Sequence, residues 1–248
     1  DTLPPDPATI APELDLTVAT DLATATAFLW SGEPRTQYGV APDTIVPARA
    51  AVLVGRVLDA AGAPLGGVRV SIHEHPELGV TQSREDGRFM MAVNGGAPLR
   101  VRYAKPGHLE AQRQADVRWQ AWTHLPDVVL LTPDPAVTTV AVPAGVMQVA
   151  RGSVSSDDEG TRRATILFPA GTDAELVMPD GTRQPLDTLH VRATEFTVGA
   201  LGPQAMPAEL PPTTGYTYAV ELSVDEAIAA GAASVRFDRA VALYVENF

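Results

Sequence analysis

Gly55-Arg56-Val57-Leu58-Asp59-Ala60-Ala61-Gly62-Ala63-Pro64-Leu65-Gly66-Gly67-Val68-Arg69-Val70-Ser71-Ile72, followed by Ser83-Arg84-Glu85-Asp86-Gly87-Arg88-Phe89, is the stretch whose reading decides the fold. Apolar and polar side chains alternate from Val68 to Ile72, the period of two that a half-buried strand requires. Asp59–Gly62 reads as a turn, and Asp86-Gly87 supplies the positive-φ geometry of a tight hairpin. Before the stretch, Val52, Val54 and Val57 form the preceding strand. After it, Arg88–Val93 is a return strand, Asn94-Gly95-Gly96 the next turn, and Leu99–Tyr103 another alternating strand. Val128–Leu131 is the last. Strands recurring about every 8–12 residues with turn signals between them describe a β-sandwich.

Further out, residues 1–20 are proline-rich (Pro4, Pro5, Pro7, Pro12) and read as an extended arm. Thr20 to Trp30 suits either a short helix capped at Thr20 or Asp21, or a strand. Phe28, Leu29, Trp30, Tyr38, Val40 and Ile45 give this stretch enough apolar surface to pack on a neighbouring domain. A proline-punctuated joint at Pro133–Pro135 marks a domain boundary. Beyond it Thr138–Val142, Met147–Val149, Thr165–Phe168, Ala174–Met178 and Val191–Val198 read as strands, with Asp180-Gly181 as a hairpin turn and Pro203–Thr214 as a proline-rich loop. Ser223-Val224-Asp225-Glu226 reads as a capping box opening a short helix through Ala230, which Gly231 ends. Val235, Phe237, Val241, Leu243 and Val245 belong to final strands. The expected fold is all-β: an N-terminal arm and packing segment (1–50), one β-sandwich (51–133), and a second, Ig-like or transthyretin-like sandwich in tandem (134–248), with one short helix.

Composition agrees. The 248 residues are 45% hydrophobic but only 6% aromatic, so the cores are aliphatic, and 22 Pro with 20 Gly favour turn-rich β structure. The net charge is -12 and Lys105 is the single lysine. Such a balance speaks against nucleic acid or an anionic membrane surface as partner. Without cysteine there are no disulfides or thiolate metal sites, and no run of about 18 apolar residues suits a membrane-spanning helix. The opening Asp1–Pro5 lacks an initiator Met or signal peptide, and the chain stops at Tyr244–Phe248 in a strand-like run, so both ends read as cut ends of a fragment.

The stretch from Gly55 to Phe89, with Tyr103-Ala104-Lys105-Pro106-Gly107 after it, resembles the carboxypeptidase regulatory-like domain over roughly residues 51–131. That resemblance implies a seven-stranded, transthyretin-like sandwich of structural, non-catalytic character, in which Gly55 and Gly67 permit close approach and turns, Pro64-Leu65 and Asp86-Gly87 set hairpins, and Phe89 plugs the core. Val140–Gly145, Phe168–Gly171 and Tyr218–Leu222 are similar to the β-module shared by ankyrins, zonula-occludens proteins and netrin receptors. Some members of that group self-cleave at His-Phe-Ser, a tripeptide absent here. The order of Phe28–Gly32 with Gly39–Pro42, the sandwich, Met147–Ala150, Tyr216–Ala227 and Tyr244–Phe248 resembles the region preceding the repeats of bacterial RHS/YD-repeat proteins. In that family the repeats wind into a β-shell around a toxin or effector, and the preceding β-domains form its base or plug, or lie outside it.

Candidate site residues are few. His73 and His75, two apart on an expected strand, would share a face and could hold a metal with Glu77; the plainer reading is solvated histidines, and His108, His124 and His190 have no evident tie to them. Asp157-Asp158-Glu159-Gly160 lacks the ligand spacing of a calcium loop and reads as a polar hairpin tip. No Gly-x-Ser-x-Gly or phosphate-cradling loop occurs. Trp119 and Trp122, with Trp30, could stack on sugar rings or simply cover a sandwich edge. The sequence therefore points to a non-enzymatic structural module of a large exported RHS/YD-repeat protein, secreted or on a cell surface. No cofactor is expected, and the partner is the remainder of its own polypeptide. The alternatives are a glycan- or protein-binding surface module using Trp119 and Trp122, and a metal-dependent hydrolase using His73 and His75.

Overall fold

The computed structural model describes residues 3–15, 17–158, 160–209 and 218–247. Two compact units emerge: Asp1–Thr132 with Gln204–Thr214, and Pro133–Pro203 with Gly215–Phe248. The first begins with two helical turns, α1 (Pro7–Ile10) and α2 (Leu22–Thr26). Asp6 Oδ1 accepts from Ala8 N at 3.0 Å and Asp21 Oδ1 from Thr24 N at 2.8 Å, each satisfying a first-turn amide. Thr20–Trp30 thus resolves as helix, capped by Asp21 and continued by a 3-10 turn at Ala27–Leu29.

Nine strands follow: β1 (Gln37–Tyr38), β2 (Ala50–Leu58), β3 (Arg69–Ile72), β4 (Val80–Gln82), β5 (Arg88–Asn94), β6 (Pro98–Ala104), β7 (Ala111–Asp116), β8 (Trp122–His124) and β9 (Val128–Val129). One sheet runs β1-β4-β3-β6-β7; the other has β5 and β8 flanking β2, with β9 pairing to the C-terminal end of β2 at Val57 and Leu58. Their facing sides bury one core, in which Phe89 meets Tyr103 edge-to-face at 5.8 Å. A Cβ at Gly55 would lie 2.6 Å from the Phe89 ring, so only glycine lets that ring seat. The far face of β2 and β5 is covered as well. Leu29, with Phe28, Trp30 and Ile45 beside it, packs on Val52 and Ala92. Burial on two faces explains why β2 opens with the continuous apolar run Ala51-Val52-Leu53-Val54.

The turns correct the hairpin expectation. Asp86-Gly87 is a tight turn, with Gly87 at φ +76, and Leu65 N donates to Val57 O at 3.0 Å. However, β2 and β5 lie in one sheet and β3, β4 and β6 in the other, so the Pro64-Leu65, Asp86-Gly87 and Gly95-Gly96 turns carry the chain across the sandwich. A local turn signal marks a reversal, but not which sheet receives the next strand.

The second unit contains β10 (Thr138–Ala141), β11 (Gln148–Arg151), β12 (Ser155–Asp157), β13 (Gly160–Phe168), β14 (Ala174–Val177), β15 (Arg183–Leu186), β16 (Thr188–Glu195), β17 (Val220–Val224), β18 (Ser234–Phe237) and β19 (Ala242–Asn247). A helical turn α3 (Gly202–Ala205) precedes β17, and α4 (Asp225–Ala230) follows it. The sheets are β10-β16-β17, β15-β14-β18, and β13 with β11 and β12 on one edge and β19 on the other. Asp180-Gly181 does close a true hairpin, β14 to β15. Val140, Ile166, Phe168, Leu189 and Val191 form the core.

Two helix expectations are corrected. Four short helices are described rather than one. The Ser223–Glu226 capping box does not form: Ser223 is buried in β17, its Oγ without a partner among the described residues, and α4 starts at Asp225 with no side-chain cap. Glu226 instead reaches across to β16. Gly231 does terminate α4 in the left-handed conformation, at φ +64. Residues 210–217, which include Pro211 and Pro212 of the Pro203–Thr214 loop together with Tyr216 and Thr217, lie outside the described residues.

Candidate functional site

β3 ends at Ile72, so His73 and His75 fall in the turn after it, where Glu74 takes φ +63. Strand alternation therefore does not place them on one face. His73 Nε2 lies 3.7 Å from Glu74, while His75 Nδ1 lies 2.9 Å from Glu77 Oε1. That hydrogen bond holds the Glu77 carboxyl below the usual range. The structure brings His75 and Glu77 together and leaves His73 with a different carboxylate; among the described residues no three His, Asp or Glu side chains converge as a metal cage. His108 Nδ1 faces Pro106 O at 3.2 Å, and His190 belongs to the second unit.

Trp122 lies on β8, opposite Val52, and is 48% exposed. Trp119 precedes it and is 60% exposed, yet its ring is held: Nε1 donates to Gly95 O at 2.9 Å. A Cβ at Gly96 would sit 2.0 Å from that nitrogen, so the Gly95-Gly96 turn accommodates the indole. Trp30 packs inward against Leu29 and Val52.

Several charged side chains of the second unit are committed to each other. Arg162, nearly fully buried, donates to Glu195 Oε1 at 2.9 Å and to both carboxylate oxygens of Asp157, which pushes its pKa above the ordinary arginine value against the effect of burial. Asp157 is therefore an ion-pair partner in β12, and Glu159 lies outside the described residues. Arg192 grips Asp225 with two bonds of 2.7 and 2.8 Å and also reaches Asp134 O. His190 faces Glu226 at 2.5 Å. Asp225 and Glu226 open α4, so β16 holds the helix at its first turn by the Arg192–Asp225 ion pair and the His190–Glu226 hydrogen bond.

Between β17, α4, β18 and β19 the core of the second unit opens as an apolar cavity of about 580 Å³, reaching Ile166, Phe168, Val191 and Phe237. No residue pattern marks this cavity in the sequence, because it is made by the register of two edge strands.

The fold defines an all-β chain whose first unit is a transthyretin-like sandwich with its second sheet covered on both faces. Residues 45–130 match the family model described as the Teneurin TTR-like domain. Teneurin-3 of Danio rerio is 34% identical over 79 residues, which is 32% of this chain and 3% of that protein. Teneurin-3 of Mus musculus is 35% identical over 81 residues (33% of this chain, 3% of that protein), and Teneurin-1 of Gallus gallus is 33% identical over 82 (again 33% and 3%). The chain thus spans about 3% of the length of the curated relatives it matches. Among solved structures, a 3-chlorocatechol 1,2-dioxygenase from Rhodococcus opacus 1CP overlaps 38% of this chain and 63% of its own at 17% identity, with a TM-score of 0.29, too low to carry chemistry across.

Proposed function

We propose that the chain is a non-enzymatic structural module of a large YD-repeat protein exposed at a cell surface or secreted. The observation that carries this is the match of residues 45–130 to the Teneurin TTR-like domain, since teneurins are cell-surface proteins with YD/RHS-like repeats. The fate of the polar side chains supports it: Arg162 and Arg192 of the second unit are tied into ion pairs that fasten strands and helix. The finer reading follows from the resemblance to the region before bacterial RHS/YD repeats, in which the chain forms the base or plug of the β-shell and its partner is the rest of its own polypeptide. Coding sequence beyond Phe248 tests the module reading: in-frame YD repeats support it, and their absence overturns it. Coexpression with such a repeat segment tests the plug, which requires that the two copurify.

A second reading rests on Trp119, whose exposed, hydrogen-bonded indole is a preformed stacking surface. Glycan-array binding lost in Trp119→Ala would favour it, whereas an array without saturable binding would remove it.

A further inference from the structure

Directly opposed residues on paired strands point to the same face of the sheet. Leu222 stands opposite Ala193, and Leu243 opposite Ile166. Ala193 and Ile166 are buried in the core of the second unit, so both leucines point inward. Yet Leu222 is 45% exposed and Leu243 46%. In a closed sandwich an inward-facing leucine is covered by the opposing sheet. Here, among the described residues, β17 pairs only with β16 and β19 only with β13, so each strand leaves one edge of backbone N–H and C=O groups open. Both edges border the cavity of about 580 Å³, and α4 adds the 59%-exposed Ile228 to its rim.

We propose that this seam is a strand-acceptor site: it takes an extended segment of a partner polypeptide whose alternate apolar side chains enter the core between Leu222 and Leu243 and whose flanks carry Lys or Arg. Open strand edges favour an extended occupant over a helix, because only an extended backbone supplies the missing hydrogen bonds, while alternate side chains fill an apolar floor. Charge selects the flanks and argues against a second copy of this chain. The net charge is -12, and within the second unit carboxylates outnumber arginines two to one. Like-charged copies repel, whereas a basic segment is drawn in. Glu221, the second residue of β17, has no hydrogen-bond or ion-pair partner among the described residues, and burial pushes its carboxyl above the ordinary value. A cation beside this edge would relieve it.

The test is titration of the 248-residue chain with a labelled peptide that alternates Val and Thr and carries Lys at both ends. Saturable binding is expected. It should weaken at least tenfold when the same residues are reordered with contiguous valines, when Glu replaces the terminal Lys, and in the double variant Leu222→Lys/Leu243→Lys. Tyr244→Lys, on the opposite face of β19, should leave affinity within twofold. Amide exchange on the unaltered protein guards against misfolding of the variants: bound peptide should slow exchange at least tenfold in β17 and β19 and leave β10 and β15 unchanged. Equal binding of ordered and reordered peptides, or unaltered exchange at both edges, overturns the proposal. So does concentration-dependent dimerisation that Leu222→Lys abolishes, which would make a second copy the occupant.

Discussion

Gln37 shows how much one side chain can do for a sheet edge. It is fully buried; its Oε1 accepts from Ala92 N at 2.7 Å, and its Nε2 donates to Ala92 O at 2.9 Å and Leu78 O at 2.7 Å. Ala92 lies on β5, an outer strand of its sheet, so the carboxamide takes the place of a neighbouring strand. Gln37→Leu keeps the volume but strands these backbone groups, each costing about 1–3 kcal/mol when buried without a partner. A urea midpoint lowered in line with a loss of at least about 2 kcal/mol is expected, and an unchanged midpoint would contradict the role. Tyr103 presents the opposite case. Its ring packs on Phe89, but its hydroxyl is buried without a partner among the described residues, and burial raises its pKa. Tyr103→Phe removes the stranded group and keeps the packing, so stability should stay level or rise by up to about 1 kcal/mol, read from the same denaturation curve. The core role of Phe89 was legible from its place after Asp86-Gly87. Nothing in the sequence marked Gln37, because a polar residue in a loop-like stretch looks solvated until the fold brings β5 alongside.

At the scale of elements, strands were legible where one face is wet, as in Leu99–Tyr103, since alternation survives there. The pairing of strands was not. Turns at Asp86-Gly87 and Asp180-Gly181 carry the same dipeptide, yet one crosses between sheets and the other closes a hairpin, a difference set by distant partners. The helix α4 makes the same point: its residues spell a capping box, but tertiary ion pairs win over the local cap. Hydrogen bonds from Arg192 hold the Asp225 carboxyl below its ordinary pKa. Burial acts to raise Glu226, but His190 outweighs it and holds that carboxyl low too. A carboxyl with a depressed folded-state pKa contributes stability that is complete above the unfolded-state value, about 4, and is lost as pH falls through the folded value. Amides of α4 and β16 should therefore exchange faster at pH 3 than at pH 6 once intrinsic rates are removed. Asp225→Asn should lower protection at pH 6 and shrink that pH difference. A variant with the parent's full pH response would show that the clamp does not hold the helix.

At the scale of the whole molecule, two separate apolar cores imply two separately cooperative units. Phe89 and Tyr103 lock one, and Phe168 and Phe237, edge-to-face at 5.7 Å, lock the other. Removing a buried phenyl ring costs about 3–5 kcal/mol, a large share of the ordinary stability of a domain, roughly 5–15 kcal/mol. Phe89→Ala should then strip exchange protection from β2, β5 and β6 while β13 and β16 keep theirs, and Phe168→Ala should do the reverse. Thermal scans of each variant should show one transition displaced and the other in place. Loss of protection in all five strands from either substitution would mean that the chain unfolds as a single block. The strand-acceptor seam would then have to be understood as a feature of that block, since a peptide stabilising β17 and β19 would protect β2 and β5 as well.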